Sequence, residues 1–205
     1  NIFESKFEDS GVVNGLISNY NVQMSDFDNN LVSEFVFQMP FIKQKSGTGL
    51  NTYTDLNANY GDFNSTNANG CKTFAIEDFN NDGWQDVFMT YTNKAPVLFL
   101  NNKNKTFSKY DFGYIAPAET KAAELVLGDY DIDGKVDIAI GNRILRNTLP
   151  FNNNWINIKL LPVSTNRIPY GARVRIKAII NGQPVWQQRE ITANGNSTIA
   201  HFGLG

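Results

Sequence analysis

The sequence predicts an all-β protein built from repeated strand–loop–strand units and followed by a small β domain. A nine-residue pattern occurs at Asp78–Asp86 and again 51 residues later at Asp129–Asp137. Short runs rich in β-branched and aromatic residues flank both copies, as strands do. No long helical period appears in the 205 residues, although 117–124 could form one helical turn.

Both copies read D-x-[DN]-x-D-G-x-x-D. Oxygen side chains at positions 1, 3, 5 and 9 and a main-chain carbonyl at position 7 can surround one hard cation, and glycine at position 6 permits a positive φ. We therefore predict two calcium loops. The candidate ligands are Asp78, Asn80, Asp82, Asp86 and the Trp84 carbonyl, and Asp129, Asp131, Asp133, Asp137 and the Lys135 carbonyl.

A third copy starts 52 residues before the first, and Leu31 replaces its glycine. A non-glycine residue in the left-handed region costs about 1–2 kcal/mol. We expect this loop to bind weakly or to be vestigial, so that calcium affinity falls in the order 129–137, 78–86, 26–34. Its candidate ligands are Asp26, Asp28, Asn30, Glu34 and the Val32 carbonyl.

Two other interpretations compete with a calcium loop of this kind. An EF-hand needs a bidentate Glu at position 12 and two flanking helices, but Met89 and Ile140 occupy that position between predicted strands. A metal-free turn rich in Asp, Asn and Gly remains open.

The charges favour a bound cation. Ten of the twenty acidic residues fall in these three loops, where Lys135 is the only base. We expect a loop without its cation to be strained or disordered, and calcium binding to be part of folding. The net charge of −2 does not indicate the basic surface that binds nucleic acid.

The loops and their flanks resemble the FG-GAP/VCBS repeats of integrin-type β-propellers. An aromatic residue and a glycine eight residues apart precede two of the loops, at Phe3 and Gly11 and at Tyr53 and Gly61. The third unit has Phe107 but Ile115 in place of the glycine. The segments 99–102 and 144–147 are similar to the usual end of the repeat. The resemblance implies that residues 1–150 form propeller blades stabilised by calcium.

From Asn154 onward the chain resembles the ASPIC/UnbV domain of secreted proteins similar to cartilage acidic protein. The resemblance implies a separate β domain over residues 151–205. In agreement, apolar and basic residues alternate before a predicted Asn181–Gly182 hairpin turn. The matching segments are 155–160, Asn166, 171–176, 187–190 and 201–205.

Three repeat units are too few to close a propeller, which has 4–8 blades. We therefore expect the chain to be part of a longer protein, with the missing blades supplied by other copies in an assembly as the alternative. No apolar run reaches the eighteen or so residues of a membrane-spanning helix, and no signal peptide is recognisable at residue 1.

Other residues have candidate roles. Cys71, the single cysteine, is expected to be a buried free thiol, with an intermolecular disulfide as the alternative. His201, the single histidine, is expected to be structural. Three sequons make Asn64, Asn104 and Asn196 candidate N-glycosylation sites.

The leading functional hypothesis is a non-catalytic, secreted or cell-surface module for adhesion, matrix or surface assembly. Its partners would be an extracellular protein, a glycan or copies of itself. The alternative is a carbohydrate-binding or polysaccharide-active protein. For that role the aromatic candidates Tyr110, Tyr114 and Trp186 are scattered, and the basic strand 173–177 could attract an acidic glycan. We find no catalytic constellation.

Overall fold

The computed structural model describes residues 21–37, 42–45, 53–55, 60–64, 67, 69–91, 94–111, 125–141, 143–161, 169–192 and 198–205. Within these residues, fifteen strands form five antiparallel sheets. The predicted all-β class is therefore confirmed. The possible helical turn at 117–124, the aromatic Tyr114 and the sequon at Asn196 lie outside the described residues.

Three sheets follow one another along the chain, and in each of them strands adjacent in sequence pair. The first contains β1 (Val22–Ser25), β2 (Glu34–Phe37), β3 (Ile42–Lys45) and β4 (Tyr53–Asp55). The second contains β5 (Cys71–Glu77), β6 (Asp86–Tyr91), β7 (Val97–Asn101) and β8 (Phe107–Tyr110). The third contains β9 (Leu125–Gly128), β10 (Asp137–Ile140) and β11 (Arg143–Leu145).

Each of the three acidic loops joins the first two strands of its sheet. The loop at 26–34 connects β1 to β2, the loop at 78–86 connects β5 to β6, and the loop at 129–137 connects β9 to β10. The prediction that every loop joins neighbouring antiparallel strands is confirmed.

The second sheet packs between the other two. Every residue of β6 is buried, and its alternate side chains enter different clusters. Val87 and Met89 join the cluster that contains Val36 of the first sheet, whereas Phe88 joins the cluster that contains Ile138 of the third. Because a strand buried on both faces needs apolar residues at successive positions, this packing explains the continuous apolar run in β6.

The C-terminal residues form two strand pairs around a separate small cluster. β12 (Trp155–Lys159) pairs with β15 (Ile199–Gly203), and β13 (Arg173–Ile180) pairs with β14 (Gln183–Glu190). The β13–β14 turn consists of Asn181 and Gly182, with φ of 51° and 76°. Both values are positive, as a type I′ turn requires, so the predicted hairpin is confirmed.

Among the described residues, no helix is both long and apolar enough to cross a bilayer.

Candidate metal centres

The three loops follow the same backbone path. At position 6, φ is 68° for Leu31, 96° for Gly83 and 84° for Gly134. Leu31 therefore takes the left-handed conformation that glycine takes in the other two loops, and the first loop keeps the shape at a local backbone cost.

Position 4 is also left-handed, which the sequence analysis did not predict. Its φ is 57° for Asn29, 58° for Asn81 and 61° for Ile132. Asparagine is several-fold enriched in the left-handed region. Its presence at position 4 of two loops could therefore have predicted this conformation.

The first carboxylate of each loop accepts hydrogen bonds from the main-chain N–H groups of positions 5 and 6. This arrangement folds the loop around the carboxylate and turns it inward. The donor–acceptor distances are 3.0 and 2.9 Å for Asp26, 3.0 and 2.8 Å for Asp78, and 3.1 and 2.9 Å for Asp129.

The last carboxylate of each loop accepts a hydrogen bond from the N–H of position 2. The distances are 2.9 Å for Glu34, 3.0 Å for Asp86 and 3.0 Å for Asp137. The other oxygen of Asp86 accepts from Asn101 N at 2.8 Å, and that of Asp137 accepts from Asn147 N at 2.6 Å. These residues therefore tie the loop to the chain beyond β6 or β10.

Asn101 and Asn147 also connect consecutive loops. Asn101 Nδ2 donates to the carbonyls of Phe27 and Gln85, at 3.0 and 3.1 Å. Asn147 Nδ2 donates to the equivalent carbonyls of Phe79 and Val136, at 2.8 and 3.1 Å. This role was not predicted from the sequence, although both asparagines lie in the segments that resemble the end of the repeat.

The predicted ligands of each loop lie close together, but different contacts bring them together in different loops. Carboxylate oxygens of Asp26, Asp28 and Glu34 lie within 4.8 Å of one another, and so do those of Asp129, Asp131 and Asp137. In the middle loop, Asp78 and Asn80 both accept from Asp82 N, at 3.0 and 3.1 Å. The side chain at position 5 accepts from the N–H of position 7, with distances of 2.7 Å for Asn30 to Val32, 3.0 Å for Asp82 to Trp84 and 2.9 Å for Asp133 to Lys135.

Burial makes these carboxylates reluctant to ionise without a cation. Asp78 and Asp86 are completely buried. Desolvation raises the pKa of Asp26 to about 6, of Asp78 to about 7 and of Glu34 to about 8, and it raises the pKa of Asp86 and Asp137 as well. A bound cation would favour the charged forms again.

Each loop faces a basic side chain from outside the loop. Lys105 Nζ lies 3.1 Å from Asp28, and Lys103 Nζ lies 3.2 Å from Asp82. Arg146 pairs with Asp131 and Asp133, at 2.5 and 3.4 Å. Residues that follow β7 and β11 therefore supply counter-charges to the loops. The expectation that a loop without its cation is strained or disordered stays a prediction.

Lys135, the only base within the loops, points elsewhere. Its Nζ donates to Leu149 O at 2.8 Å.

The donor set fits a hard cation. Its side-chain atoms are oxygens of carboxylates and amides, which favour magnesium, calcium or manganese over softer metals. Asp131 Oδ1 is buried and has no hydrogen-bond partner among the described residues. An orphaned carboxylate oxygen at a predicted ligand position is what a cation there would satisfy.

The C-terminal unit packs against the middle loop. Gly205 N donates to Asn81 O at 3.0 Å, and Asn153 Nδ2 donates to Asn80 O at 2.9 Å. A Cβ atom at Gly203 would collide with Asp78 Oδ2 and the Asn81 backbone. Glycine at position 203 therefore allows β15 to lie directly on the loop.

His201 has a structural environment, as expected. Its side chain is buried, its two ring nitrogens contact Asn157 and Asn81, and burial lowers its pKa. Cys71 forms no disulfide and lies half-buried at the start of β5, where burial raises its pKa to about 12. Asn64 and Asn104 are exposed in turns, and Thr106 Oγ1 donates to Asn104 Oδ1 at 2.7 Å.

Residues 78–140 match the FG-GAP-like repeat family. The matched segment runs from the first ligand position of the middle loop to the last residue of β10, so it contains two of the three loops. Residues 151–205 lie outside this match, and their resemblance to an ASPIC/UnbV domain stays a prediction. Comparison with curated proteins finds no match to the chain. The segment that carries the second and third loops is therefore an FG-GAP-like repeat.

Proposed function

We propose that the protein is a non-catalytic, calcium-stabilised module for adhesion, matrix or surface assembly outside the cell. The observation that carries this proposal is the hydrogen-bond pattern common to the three loops, in which the main-chain N–H of position 6 donates to the carboxylate of position 1. The FG-GAP-like repeat at 78–140 supports the same function.

Calcium would be held by the oxygen side chains at positions 1, 3, 5 and 9 and by the carbonyl at position 7. It would supply positive charge that lets the buried carboxylates ionise. Because position 9 opens the second strand of each sheet, a cation shared with position 1 would fix the two strands relative to each other.

The proposed architecture is a β-propeller whose blades are the successive sheets, followed by an ASPIC/UnbV-like domain. The face-to-face packing of the second sheet against its two neighbours supports it. Extracellular calcium sites commonly have dissociation constants of about 10⁻⁴–10⁻³ M, which suits a secreted or cell-surface protein. The partners would be an extracellular protein, a glycan or copies of the chain.

A second candidate function, carbohydrate binding, is favoured by one surface. Trp186 is 44% exposed on the β13–β14 hairpin, and Lys177 Nζ lies 5.4 Å from the centre of its ring. Arg173 and Arg175 are exposed on the same strand as Lys177. A glycan array comparing wild type with Trp186→Ala tests this candidate, which requires a signal that the substitution abolishes.

Calorimetric titration with calcium tests the leading proposal. Wild type should bind calcium, and Asp133→Ala should remove one binding event because it takes away the position-5 carboxylate of the third loop. Asp111→Asn, an exposed substitution outside the loops, is the control and should keep every event. A wild-type protein that neither binds calcium nor gains thermal stability from it would contradict the proposal.

A further inference from the structure

The turn between β7 and β8 places one lysine against each of two different loops. Lys103 Nζ lies 3.2 Å from Asp82 in the middle loop, and Lys105 Nζ lies 3.1 Å from Asp28 in the first loop. Both contacted carboxylates are predicted metal ligands, so the two ammonium groups and the proposed cations would neutralise the same side chains.

Contacts with the middle loop hold Lys103 near Asp82. Its ammonium also lies 4.7 Å from the centre of the Trp84 ring, and Trp84 is position 7 of the middle loop. Its main-chain N donates to Asn101 Oδ1 at 2.9 Å, while Asn101 N donates to Asp86 at 2.8 Å. These contacts fix the position of the turn relative to the middle loop. They also hold the Lys103 ammonium group beside that loop.

Both lysines have a left-handed backbone conformation. Lys103 and Lys105 have φ of 66° and 69°. Left-handed residues at alternate positions bend the turn tightly, and Asn104 between them is exposed. One short turn can thereby reach the loops of two consecutive repeats.

We propose that Lys103 and Lys105 are built-in competitors of calcium, which neutralise the middle and first loops when these are empty and must withdraw when they fill. The inference rests on the proposed function, since it concerns calcium affinity. It makes this turn the element that sets the affinity of two loops and that changes its contacts on binding.

The substitution Lys103→Met tests the inference because it removes the charge and keeps an unbranched apolar chain against Trp84. Calorimetry should show that calcium affinity at one site rises about three- to fivefold. This change corresponds to the free energy of a partly exposed ion pair. In EDTA the same variant should melt at a lower temperature than wild type, because the empty loop has lost its counter-charge. Lys105→Met should act likewise on a different site.

Two controls separate charge competition from general damage. Lys103→Arg keeps the positive charge and should bind calcium as wild type does. Lys109→Met removes a charge from β8, where Lys109 is exposed and makes no ion pair with a described loop residue. It should change neither affinity nor melting temperature.

The outcomes are distinguishable. If wild type binds calcium and Lys103→Met binds it with equal or lower affinity, the competition is contradicted and the proposed function stands. If wild type and all variants fail to bind calcium, the proposed function and the competition are both contradicted. If Lys103→Met melts at a lower temperature than wild type in EDTA and binds calcium more tightly, the inference is supported.

Discussion

His201 Nε2 lies 2.6 Å from Asn81 Oδ1, and this contact joins the C-terminal unit to the middle loop. Asn81 Nδ2 in turn donates to Gly134 O at 2.9 Å, which fixes the amide with its oxygen towards the histidine. Nε2 therefore carries a proton. One buried chain of hydrogen bonds runs from β15 through the middle loop to the third loop.

Breaking this chain should destabilise the protein. We expect His201→Ala to lower the free energy of unfolding by about 1–3 kcal/mol, because it leaves the buried Asn81 oxygen without a donor. Urea denaturation measures the change. Asn152→Ala, at an exposed position outside the strands, should leave stability within about 0.5 kcal/mol of wild type. Equal stability of His201→Ala and wild type would show that the contact has no energetic role.

The close approach of β15 to the middle loop gives a second prediction. Gly203→Ala should destabilise the protein by about 1–3 kcal/mol, since its methyl group would meet Asp78 and the Asn81 backbone. Gly128→Ala is the matched control, because nothing lies within 4 Å of a Cβ there. Denaturation midpoints that fall equally for both substitutions would mean that the approach is not tight.

Leu31 gives a prediction of opposite sign. Leu31→Gly should relieve about 1–2 kcal/mol of backbone strain and lose about 0.5–1 kcal/mol to the greater freedom of the unfolded chain. The net result should be a small gain in stability and tighter calcium binding by the first loop. Val32→Gly, at the next residue, should only destabilise, and a loss of equal size in both variants would argue against strain at Leu31.

The stability of the metal-free protein should depend on pH. The folded state raises the pKa of Asp26 from 3.8 to about 6, of Asp78 from 3.8 to about 7 and of Glu34 from 4.5 to about 8. The folded protein then binds more protons than the unfolded chain, so its stability should be highest near pH 4 and should fall up to about pH 8. Urea midpoints across this range measure the slope.

Saturating calcium should reverse that slope, because protons and calcium compete for the same carboxylates. A metal-free protein whose midpoint rises from pH 4 to pH 8 would contradict the burial of these acids.

The position and strand context of the loops could be predicted from sequence because a local pattern determines them. The spacing of oxygen side chains identifies each loop, and the apolar runs beside it identify β5, β6 and β10. Leu31 shows the limit of that pattern, since the loop keeps its shape without the glycine.

What the sequence did not reveal depends on residues far apart in the chain. Lys105 neutralises a loop more than seventy positions earlier, and His201 contacts Asn81 across 120 positions. No local periodicity encodes such pairs. The role of Asn101 could have been predicted more readily, because Asn147 occupies the equivalent position in the next repeat.

The most direct measurement is a crystal structure of the full chain grown in calcium, with anomalous scattering recorded at a long wavelength. We expect an anomalous peak in the third loop, surrounded by oxygens of Asp129, Asp131, Asp133 and Asp137 and the Lys135 carbonyl at about 2.3–2.6 Å. The middle loop should hold a second peak, with Lys103 withdrawn from Asp82. Loops of the same shape without any peak at saturating calcium would contradict the account.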